Sequence, residues 1–535
     1  MPLPQILHPA LLVAVFSATL SPVALAGQTD SLVVKFFPAT GSSGVNPDTH
    51  LVIGFPSAPM LGKSGFIRIY DTSTGQLVDT LDLGIPAGPD PHGPRAPTPT
   101  LSPAEAEARA AQTQARAAAP LGHLTNANAV AGTSVNYPTP SRDYQLTIIG
   151  GVTQGFHFYP VIIHGNVATI YPHNNLLDYH RSYRVEIDPG VLTTADGSFK
   201  GIDRDAGWTF TTKAAPPAAG TRRVLVAADG TGDFNTVQGA LDFVPDDPAQ
   251  RVTIFIKNGT YEEIVFFHDK NNLTLRGEDR TKVQIGYGNN SVFNPPTSQP
   301  DAAGHVLGGP SRRCAFACYN STGIVLSNFT VSNYYTGQAE GLLISGSKNI
   351  VSQVTINGSG DALNLKGSVY LTDSRLKGDG DTILGVGPAF FDHCELASRG
   401  PYMWVRNPAA NHGNVFVDCT FETRAGPSPT GRAPNPVLAR LPNNHGINYP
   451  YAEAVLIDCR LKGITPEGWG PIADDTSHLH FWEYHSTNLE DGKPVDVSKR
   501  HPVSRQLSLP QDADVLANYR NPSYVLGGWT PVVDR

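Results

Sequence analysis

The sequence predicts an all-β protein: a right-handed parallel β-helix over residues 222–535, preceded by a β-sandwich. Short runs of the form apolar, outward, apolar recur after residue 222, and their first members lie 56, 25, 20, 20, 25 and 40 residues apart. Spacings near 20 to 25 are typical of a solenoid whose rungs are strands, and longer gaps indicate rungs that carry loops. The 53 glycines and 45 prolines, with few long helical patterns, also favour a turn-rich β protein. The runs begin at Leu273, Phe329, Val354, Ser374, Cys394, Cys419 and Cys459.

Residues 1–26 have the features of a signal peptide. The stretch from Ala10 to Leu20 is largely apolar, and Ala24-Leu25-Ala26 provides the small residues that a signal peptidase cleaves after. No later run of ~18 apolar residues is long enough to span a bilayer. We therefore expect a secreted or periplasmic protein without a membrane partner.

Residues 27–213 differ in pattern from the rest of the chain. Seven short strands broken by Gly, Pro and Asn turns predict an antiparallel sandwich. A Pro- and Ala-rich stretch at 86–121 interrupts it as an insertion, with a helix expected over 102–118, and residues 214–221 read as a linker. The opening Phe37-Pro-Ala-Thr-Gly and the closing Trp208-Thr-Phe-Thr-Thr loosely resemble bacterial Ig-like domains.

Charge and cysteine content narrow the function classes. A net charge of -8 and a pI near 6.1 argue against nucleic acid as a partner. Three of the five cysteines, Cys394, Cys419 and Cys459, share an inward rung position that predicts core packing. The sequence does not decide whether Cys314 and Cys318 form a disulfide. The chain has no CxxC pair with histidine partners, which argues against zinc. We expect no metal and no cofactor.

The stretch from Gly378 to Leu384 carries the first candidate site. Asp379 and Asp381 are two positions apart, and on an extended segment such side chains point the same way. Two nearby carboxylates in a partly desolvated groove spread their pKa values, which leaves one protonated at working pH. The pattern therefore favours general acid and base chemistry, although an Asp beside a Gly is also a common turn residue.

An ordered series of motifs from residue 222 to the C-terminus resembles the pectin methylesterase family. It includes Ile254-Phe-Ile-Lys-Asn-Gly-Thr-Tyr, Gly380-Asp-Thr382, Leu438-Ala-Arg440, Ile464-Thr-Pro-Glu-Gly-Trp469 and Leu526-Gly-Gly-Trp529. The resemblance implies a parallel β-helix that hydrolyses methyl esters of polygalacturonate without a metal. It also implies one Asp as nucleophile, a second Asp as acid and base, two Gln as oxyanion donors and an Arg that orients the nucleophile.

The motifs place these roles unevenly on the chain. The acid/base position falls on Asp381 and the Arg falls on Arg440, whereas the two Gln positions fall on Asp361 and Gly380. The segment expected to carry the nucleophile, 396–406, contains no carboxylate. The resemblance therefore predicts an atypical site, in which the nucleophile has moved or is missing.

Three interpretations of the site stay open. In the first, Asp381 and Asp361 lie one rung apart and form the working pair, with Arg440, Arg399 or Arg406 providing positive charge. In the second, Ser398 acts with His445 or His412 and an Asp in an ester hydrolysis. In the third, catalysis is lost and the groove only binds acidic polysaccharide.

Two other β-helix chemistries compete with these three interpretations. Asp361, Asp379 and Asp381 could serve a calcium-dependent pectate lyase, or the groove could hold a glycosidase.

The expected partner is pectin or a related acidic polysaccharide, bound by a monomer. Tyr402, Trp404 and Trp469 are candidate sugar-stacking residues, and Arg406 is a candidate contact for a uronate carboxylate. Burial in the core is the competing interpretation for the aromatic residues.

Overall fold

The computed structural model describes residues 34–93, 143–152, 155–295, 298–300, 306–308, 311–429, 431, 433–443, 447–473 and 475–533. The predicted signal peptide, the helix expected over 102–118, most of the 86–121 insertion and His445 lie outside the described residues.

The described residues before 213 form two main sheets around one apolar core that contains Ile53, Ile69, Val185 and Trp208. One sheet has the strand order β1-β3-β8-β7 and the other β2-β11-β9-β5-β6, while β4 pairs with β10. The strands are β1 Lys35–Phe37, β2 Ser42–Val45, β3 Leu51–Gly54, β4 Met60–Leu61, β5 Phe66–Asp71, β6 Leu77–Asp82, β7 Val161–His164, β8 Val167–Ile170, β9 Ser182–Ile187, β10 Leu192–Thr193 and β11 Thr209–Thr212.

The rest of the chain winds into a parallel solenoid with three faces, which confirms the predicted β-helix. Face 1 carries the candidate site, and its strands pair in parallel from one rung to the next. They are β15 Val265–His268, β20 Phe316–Thr322, β23 Leu342–Ser352, β25 Leu363–Thr372, β27 Ile383–Gly385, β30 Met403–Val405, β33 Ala439–Leu441 and β36 Trp469–Ile472.

Face 2 continues from face 1, because β23 and β25 are long enough to contribute to both. Its other strands are β12 Arg223–Val226, β13 Val252–Ile256, β16 Leu273–Gly277, β21 Val325–Ser327, β28 Ala389–Asp392, β31 Asn414–Val417, β34 Glu453–Ile457, β37 His480–Tyr484 and β39 Arg505–Gln506. Face 3 holds β14 Gly259–Glu262, β17 Val283–Tyr287, β22 Thr330–Asn333, β24 Thr355–Asn357, β26 Arg375–Lys377, β29 Glu395–Ser398, β32 Thr420–Thr423, β35 Arg460–Lys462 and β38 Thr487–Asn488.

Short additional elements lie outside the three faces. The hairpin β18 Ser298–Pro300 and β19 Val306–Gly308 is antiparallel. Helix α1 Val237–Phe243 covers the first rung, and α2 Ala513–Tyr519 and α3 Pro522–Val525 close the chain.

The turn from face 2 to face 3 explains the regular sequence pattern. Asn328, Asp373, His393 and Asp418 each adopt a left-handed backbone, with φ between 49° and 61°. This conformation turns the chain sharply, and Asn and Asp tolerate it better than most other residues. The next side chain along the chain then points inward, as Cys394 and Cys419 do.

The cysteines are core residues. All five are buried free thiols, which confirms the packing expected for Cys394, Cys419 and Cys459. The Cys314–Cys318 disulfide that the sequence left open is absent from the structure.

The N-terminal sandwich docks tightly onto the first rung of the solenoid. The Asp48 carboxylate accepts hydrogen bonds from the backbone N–H groups of Asn235 (2.9 Å) and Thr236 (2.8 Å) at the start of α1. On the same helix, Asp242 accepts from Asn175 at 2.7 Å. Burial raises the pKa of Asp48, in spite of these hydrogen bonds. The sandwich therefore provides hydrogen-bond acceptors for the backbone N–H groups at the start of α1, which would otherwise face solvent.

Candidate active site

Face 1 presents a line of carboxylates at the start of consecutive rungs. Leu342 pairs with Leu363 and Leu363 with Ile383, so the residues two positions earlier, Glu340, Asp361 and Asp381, occupy equivalent positions. Neighbouring parallel strands are about 4.8 Å apart, which sets the scale of the spacing along this acid column. The equivalent position on the next rung is Pro401, whose carbonyl accepts from the Thr382 N–H. The column therefore ends at Asp381.

Asp381 is held by Arg440 in a two-pronged ion pair. Arg440 Nε donates to Asp381 Oδ1 at 2.5 Å, and Nη2 donates to Oδ2. Such fork-to-fork geometry fixes both the position and the orientation of a carboxylate. The Asp381 side chain keeps 17% of its surface exposed, so a substrate can reach it.

Asp361 is far more enclosed than Asp381. It is 6% exposed, and its Oδ2 accepts from Arg313 Nη2 at 3.0 Å. Burial raises the pKa of Asp361 to about 8; Arg313 opposes the shift, whereas the negative charges of Glu340 and Asp381 add to it. The raised pKa favours the protonated form of Asp361 at neutral pH.

Arg313 bridges two members of the acid column, Glu340 and Asp361. It forms ion pairs with both Glu340 and Asp361, and its Nε donates to Glu340 Oε1 at 2.6 Å. With Arg440 included, the column contains three carboxyl groups and two guanidinium groups. The column therefore has one more carboxyl group than guanidinium groups, and the charge of Arg406 also opposes the raised pKa of Asp361.

Glu340 and Arg313 are residues that the sequence reasoning missed. The signal that could have found Glu340 is the register itself, since it precedes Leu342 by the same two positions that separate Asp361 from Leu363. Arg313 lies in a loop before β20, and no spacing rule points to it.

Asp379 does not join Asp381 as a working pair. Gly380 and Asp381 have φ values of 145° and 46°, so the backbone turns between the two carboxylates instead of remaining extended. Asp379 instead forms ion pairs with Arg399 and with Arg424, the latter at 2.9 Å. The expectation that Asp379 and Asp381 point the same way is wrong, and Arg399 is already occupied.

Trp404 and Arg406 lie on the groove surface next to Arg440. The Arg440 guanidinium lies 4.6 Å from the Trp404 ring centroid, and the Arg406 guanidinium lies 4.9 Å from the same ring. Both side chains are partly exposed. The structure thus places Arg440, Trp404 and Arg406 side by side.

Two of the expected sugar-stacking residues point into the core. Tyr402 is fully buried and meets Phe421 edge to face at 5.1 Å. Trp469 is 2% exposed, stacks on Phe481 and donates its Nε1–H to Glu483 at 3.2 Å. Neither ring presents a face to the groove, which argues against a stacking role for Tyr402 and Trp469.

The serine interpretation finds no support in the geometry. Ser398 is fully buried, and its Oγ accepts a hydrogen bond from Thr382 Oγ1 at 2.8 Å. The hydrogen bond of His412 goes to Glu453, at 2.9 Å. Within the described ranges, no three His, Cys, Asp or Glu residues are placed to hold a metal ion.

Comparison with known proteins identifies the family. The pectinesterase family model matches residues 223–503, which is more than half of the chain. The chain belongs to the pectinesterase family.

Individual members of the pectinesterase family cover different shares of the chain. Pectinesterase QRT1 of Arabidopsis thaliana is 30% identical over 290 residues, or 50% of this chain and 70% of that protein. Probable pectinesterase A of Aspergillus niger is 28% identical over 289 residues, or 52% of this chain and 80% of that protein. For the probable pectinesterase/pectinesterase inhibitor 19 of Arabidopsis thaliana, the match spans only 36% of the relative.

The structural comparison also matches solved pectin methylesterases at low identity. The carrot enzyme is 20% identical with a TM-score of 0.46, and the match covers 59% of this chain and 95% of that one. PemA from Erwinia chrysanthemi is also 20% identical, with a TM-score of 0.44, covering 59% of this chain and all of that one.

Proposed function

We propose that this protein hydrolyses the methyl esters of polygalacturonate, with Asp381 as nucleophile and Asp361 as general acid and base. The observation that carries the proposal is the carboxylate of Asp381, fixed by Arg440 one rung from the enclosed, proton-retaining Asp361. The membership of the pectinesterase family supports the reaction class.

This assignment reverses the roles that the motifs alone suggested, in which Asp381 was the acid and base. A carboxylate bound on both oxygens by a guanidinium is kept as the anion, which is the nucleophilic form. Each oxygen has two lone pairs, so the ion pair leaves one on each oxygen free for attack. A proton donor must hold a proton at working pH, and Asp361 meets that condition.

The proposed first half-reaction forms an acyl-enzyme. An Asp381 oxygen attacks the ester carbonyl carbon, and the electron pair of the C=O bond moves to the oxygen. As the tetrahedral intermediate collapses, the bond to methoxide breaks and the Asp361 proton passes to the leaving oxygen. Methanol departs, leaving a mixed anhydride between Asp381 and the uronyl group.

The second half-reaction restores the enzyme. Asp361, now a carboxylate, takes a proton from water while the water oxygen attacks the uronyl carbon of the anhydride. The bond to Asp381 breaks, and the uronic acid leaves and releases its remaining proton to solvent as it becomes the uronate. Asp361 has its proton back and Asp381 is again an anion beside Arg440.

Arg440 stabilises charge in addition to orienting the nucleophile. When Asp381 forms the new bond, its negative charge moves to the carbonyl oxygen of the substrate. The Arg440 guanidinium stays in place and faces that oxyanion, in a partly desolvated groove where the attraction is stronger than in water. With Arg440 in this role, the site requires no amide donor at the positions of Asp361 and Gly380.

We further propose that the protein is exported and acts as a monomer on pectin. The sequence features of residues 1–26 support export. Of the helices among the described residues, none is both long and apolar enough to cross a membrane.

Methanol release from esterified pectin, measured without added calcium, tests the function. We expect the wild type to release methanol and Asp381→Asn to lose ~10²-fold or more of the rate while keeping its thermal unfolding cooperative. Unsaturated, ultraviolet-absorbing products that require calcium would instead indicate a lyase. Binding of pectin with no product of either kind would show a binding protein and would reject the proposal.

A further inference from the structure

We propose that the N-terminal sandwich closes one end of the groove on face 1, so that the protein removes methyl esters close to the end of a polygalacturonate chain. We call the part of the sandwich that closes the groove, residues 145–152 and 155–159, the end wall. The inference deepens the esterase function proposed above and rests on it.

One outward position recurs on successive rungs of face 1. The residue before it on each strand lies in the apolar core of the solenoid. Side chains alternate along a strand, so this position points away from the core. We call its residues the outward row. The strand register assigns to it Phe266, Ala317, Leu343, Asn364, Leu384, Trp404 and Arg440.

The exposure of the outward row changes along the solenoid. Phe266, Ala317 and Leu343 are no more than 2% exposed, although they point away from the solenoid core. Trp404 and Arg440, at the other end of the row, are partly exposed. The outward row is therefore covered where the solenoid begins and accessible beside the ion pair of the candidate site.

The end wall covers the first part of the outward row. Its side chains Ile149, Val152 and Phe156 belong to the same buried apolar cluster as the covered residues of the row. The ring centroids of Phe156 and Phe266 are 5.5 Å apart. A Cβ atom at Gly150 would lie 2.5 Å from the Phe266 carbonyl oxygen, so the end wall also meets the backbone of β15.

Buried hydrogen bonds hold the end wall in place. Asn294 accepts from the His157 backbone N–H at 2.8 Å and donates to the His157 carbonyl at 3.1 Å. Arg312 donates to the Gly155 carbonyl, and its guanidinium lies 5.6 Å from the Phe156 ring centroid. Both Asn294 and Arg312 are buried, so separating the end wall would leave polar groups without partners. The end wall is therefore a fixed part of the groove.

The covered part of the outward row ends close to the proposed nucleophile. Leu343 lies on the same rung as Glu340, and Asp381 lies two rungs further along. Two strand spacings are about 10 Å, which leaves room for roughly two sugar rings. In the opposite direction the surface is partly exposed at Trp404 and exposed at Pro471. Among the described residues, a polymer that lies along face 1 can therefore extend past Asp381 in one direction only.

This shape distinguishes terminal esters from interior esters. An interior ester needs space for the polymer on both sides of Asp381, and on one side the polymer would collide with the end wall. An ester near the correct end of the polymer avoids that collision. A steric clash built against one substrate is a common source of specificity.

The order of ester loss tests the inference with the full-length protein. The substrate is a fully methylated oligogalacturonate of defined length, labelled at its reducing end, and tandem mass spectrometry locates the first ester lost. We expect that ester within roughly two rings of one end, and at the same end in every molecule. At equal total ester, shortening the polymer about 10-fold should raise the initial rate of methanol release about 10-fold, because terminal esters have the higher kcat/KM.

Asn294→Ala removes the side chain that holds the end wall at His157. It should admit interior esters and raise the rate on the long polymer severalfold, with little change on the short oligomer. The matched control is Asn349→Ala, since Asn349 is buried in the solenoid, accepts from the Ile324 backbone N–H at 3.0 Å and donates to the Ser321 carbonyl at 3.0 Å. The control should keep the wild-type preference for the short oligomer.

The outcomes separate this inference from the esterase function. Wild-type protein that removes interior and terminal esters at equal rates would overturn the inference and leave the function standing. Wild-type protein that releases no methanol from any of these substrates would refute the function, and the inference with it. If Asn294→Ala does not fold, the wild-type order of ester loss decides alone. In folded variants, an unchanged preference in Asn294→Ala, or an equal change in Asn349→Ala, would overturn the role of the end wall.

Discussion

Replacing Asp361 with Asn tests the central feature of the site, which is a buried carboxyl group that keeps its proton. Its pKa of about 8 lies well above the ordinary 3.8, mainly because burial disfavours the charged form. Between these pH values the folded protein holds one proton more than the unfolded chain. The contribution of Asp361 to the free energy of unfolding is therefore fully present below about pH 4. It is lost as the pH rises through 8.

The size of the effect follows from the two pKa values. One pKa unit corresponds to about 1.36 kcal/mol, so the full loss is ~6 kcal/mol at most. Asn is neutral at every pH and avoids this cost. It also loses the hydrogen bond that Arg313 donates to Asp361 at 3.0 Å, which offsets about 1 to 3 kcal/mol. Asp361→Asn should thus gain about 3 to 5 kcal/mol of stability over the wild type at pH 9, and no gain at pH 4.

Denaturant unfolding of both proteins at pH 4, 6, 8 and 9 measures this difference. The same variants should differ in activity, with wild-type turnover falling above about pH 8 and Asp361→Asn losing ~10²-fold or more at all pH values. Asp379→Asn is the matched control, because it removes a carboxylate from the adjacent turn without touching the acid column. A stability difference between Asp361→Asn and wild type that is flat from pH 4 to 9 would refute the reasoning.

Variants at three further positions test other parts of the structure. Arg440→Gln should lower kcat by ~10²-fold or more with less effect on KM, because orientation of Asp381 and oxyanion stabilisation are lost together, and Arg440→Lys should recover only part of it. Ser398→Ala should keep full methanol release, and a large loss would revive the serine mechanism. Asp48→Ala should lower the unfolding midpoint by the equivalent of about 1 to 2 kcal/mol, since α1 loses its capping carboxylate; an unchanged midpoint would show that the docking contributes nothing.

Sequence periodicity predicted the solenoid because one turn recurs on nearly every rung. Six of the seven apolar runs fall on face 3, directly after the left-handed turn residue. The run at Leu273 falls on face 2 instead, in β16, and its rung reaches face 3 at Val283–Tyr287. This slip adds 10 of the 56 residues in the gap before Phe329, because a short apolar triplet does not identify its own face. The rest of the excess comes from the long connection between β17 and β20.

The site was predicted less completely than the fold. The proximity of Asp381 and Arg440 was expected from the motifs, and the structure brings them together. The sequence did not predict which aromatic side chains point inward and which point outward. That direction depends on which residues of each strand face the core, and the short strands of face 1 do not indicate this. Met403 and Val405 are inward, which leaves Trp404 at the groove, whereas Tyr402 lies at the corner before β30 and turns into the core.

A solenoid makes the roles of Asp361 and Asp381 hard to assign from motifs, because each rung presents the same positions and a shift of one rung exchanges chemically identical residues. Arg440 distinguishes the two positions, because it forms its ion pair with Asp381, whereas Asp361 lies on a neighbouring rung and is buried. An acyl-enzyme trapped by rapid acid quench should therefore carry its added mass on the peptide that contains Asp381. Added mass on the Asp361 peptide would restore the opposite assignment, with Asp381 as the acid.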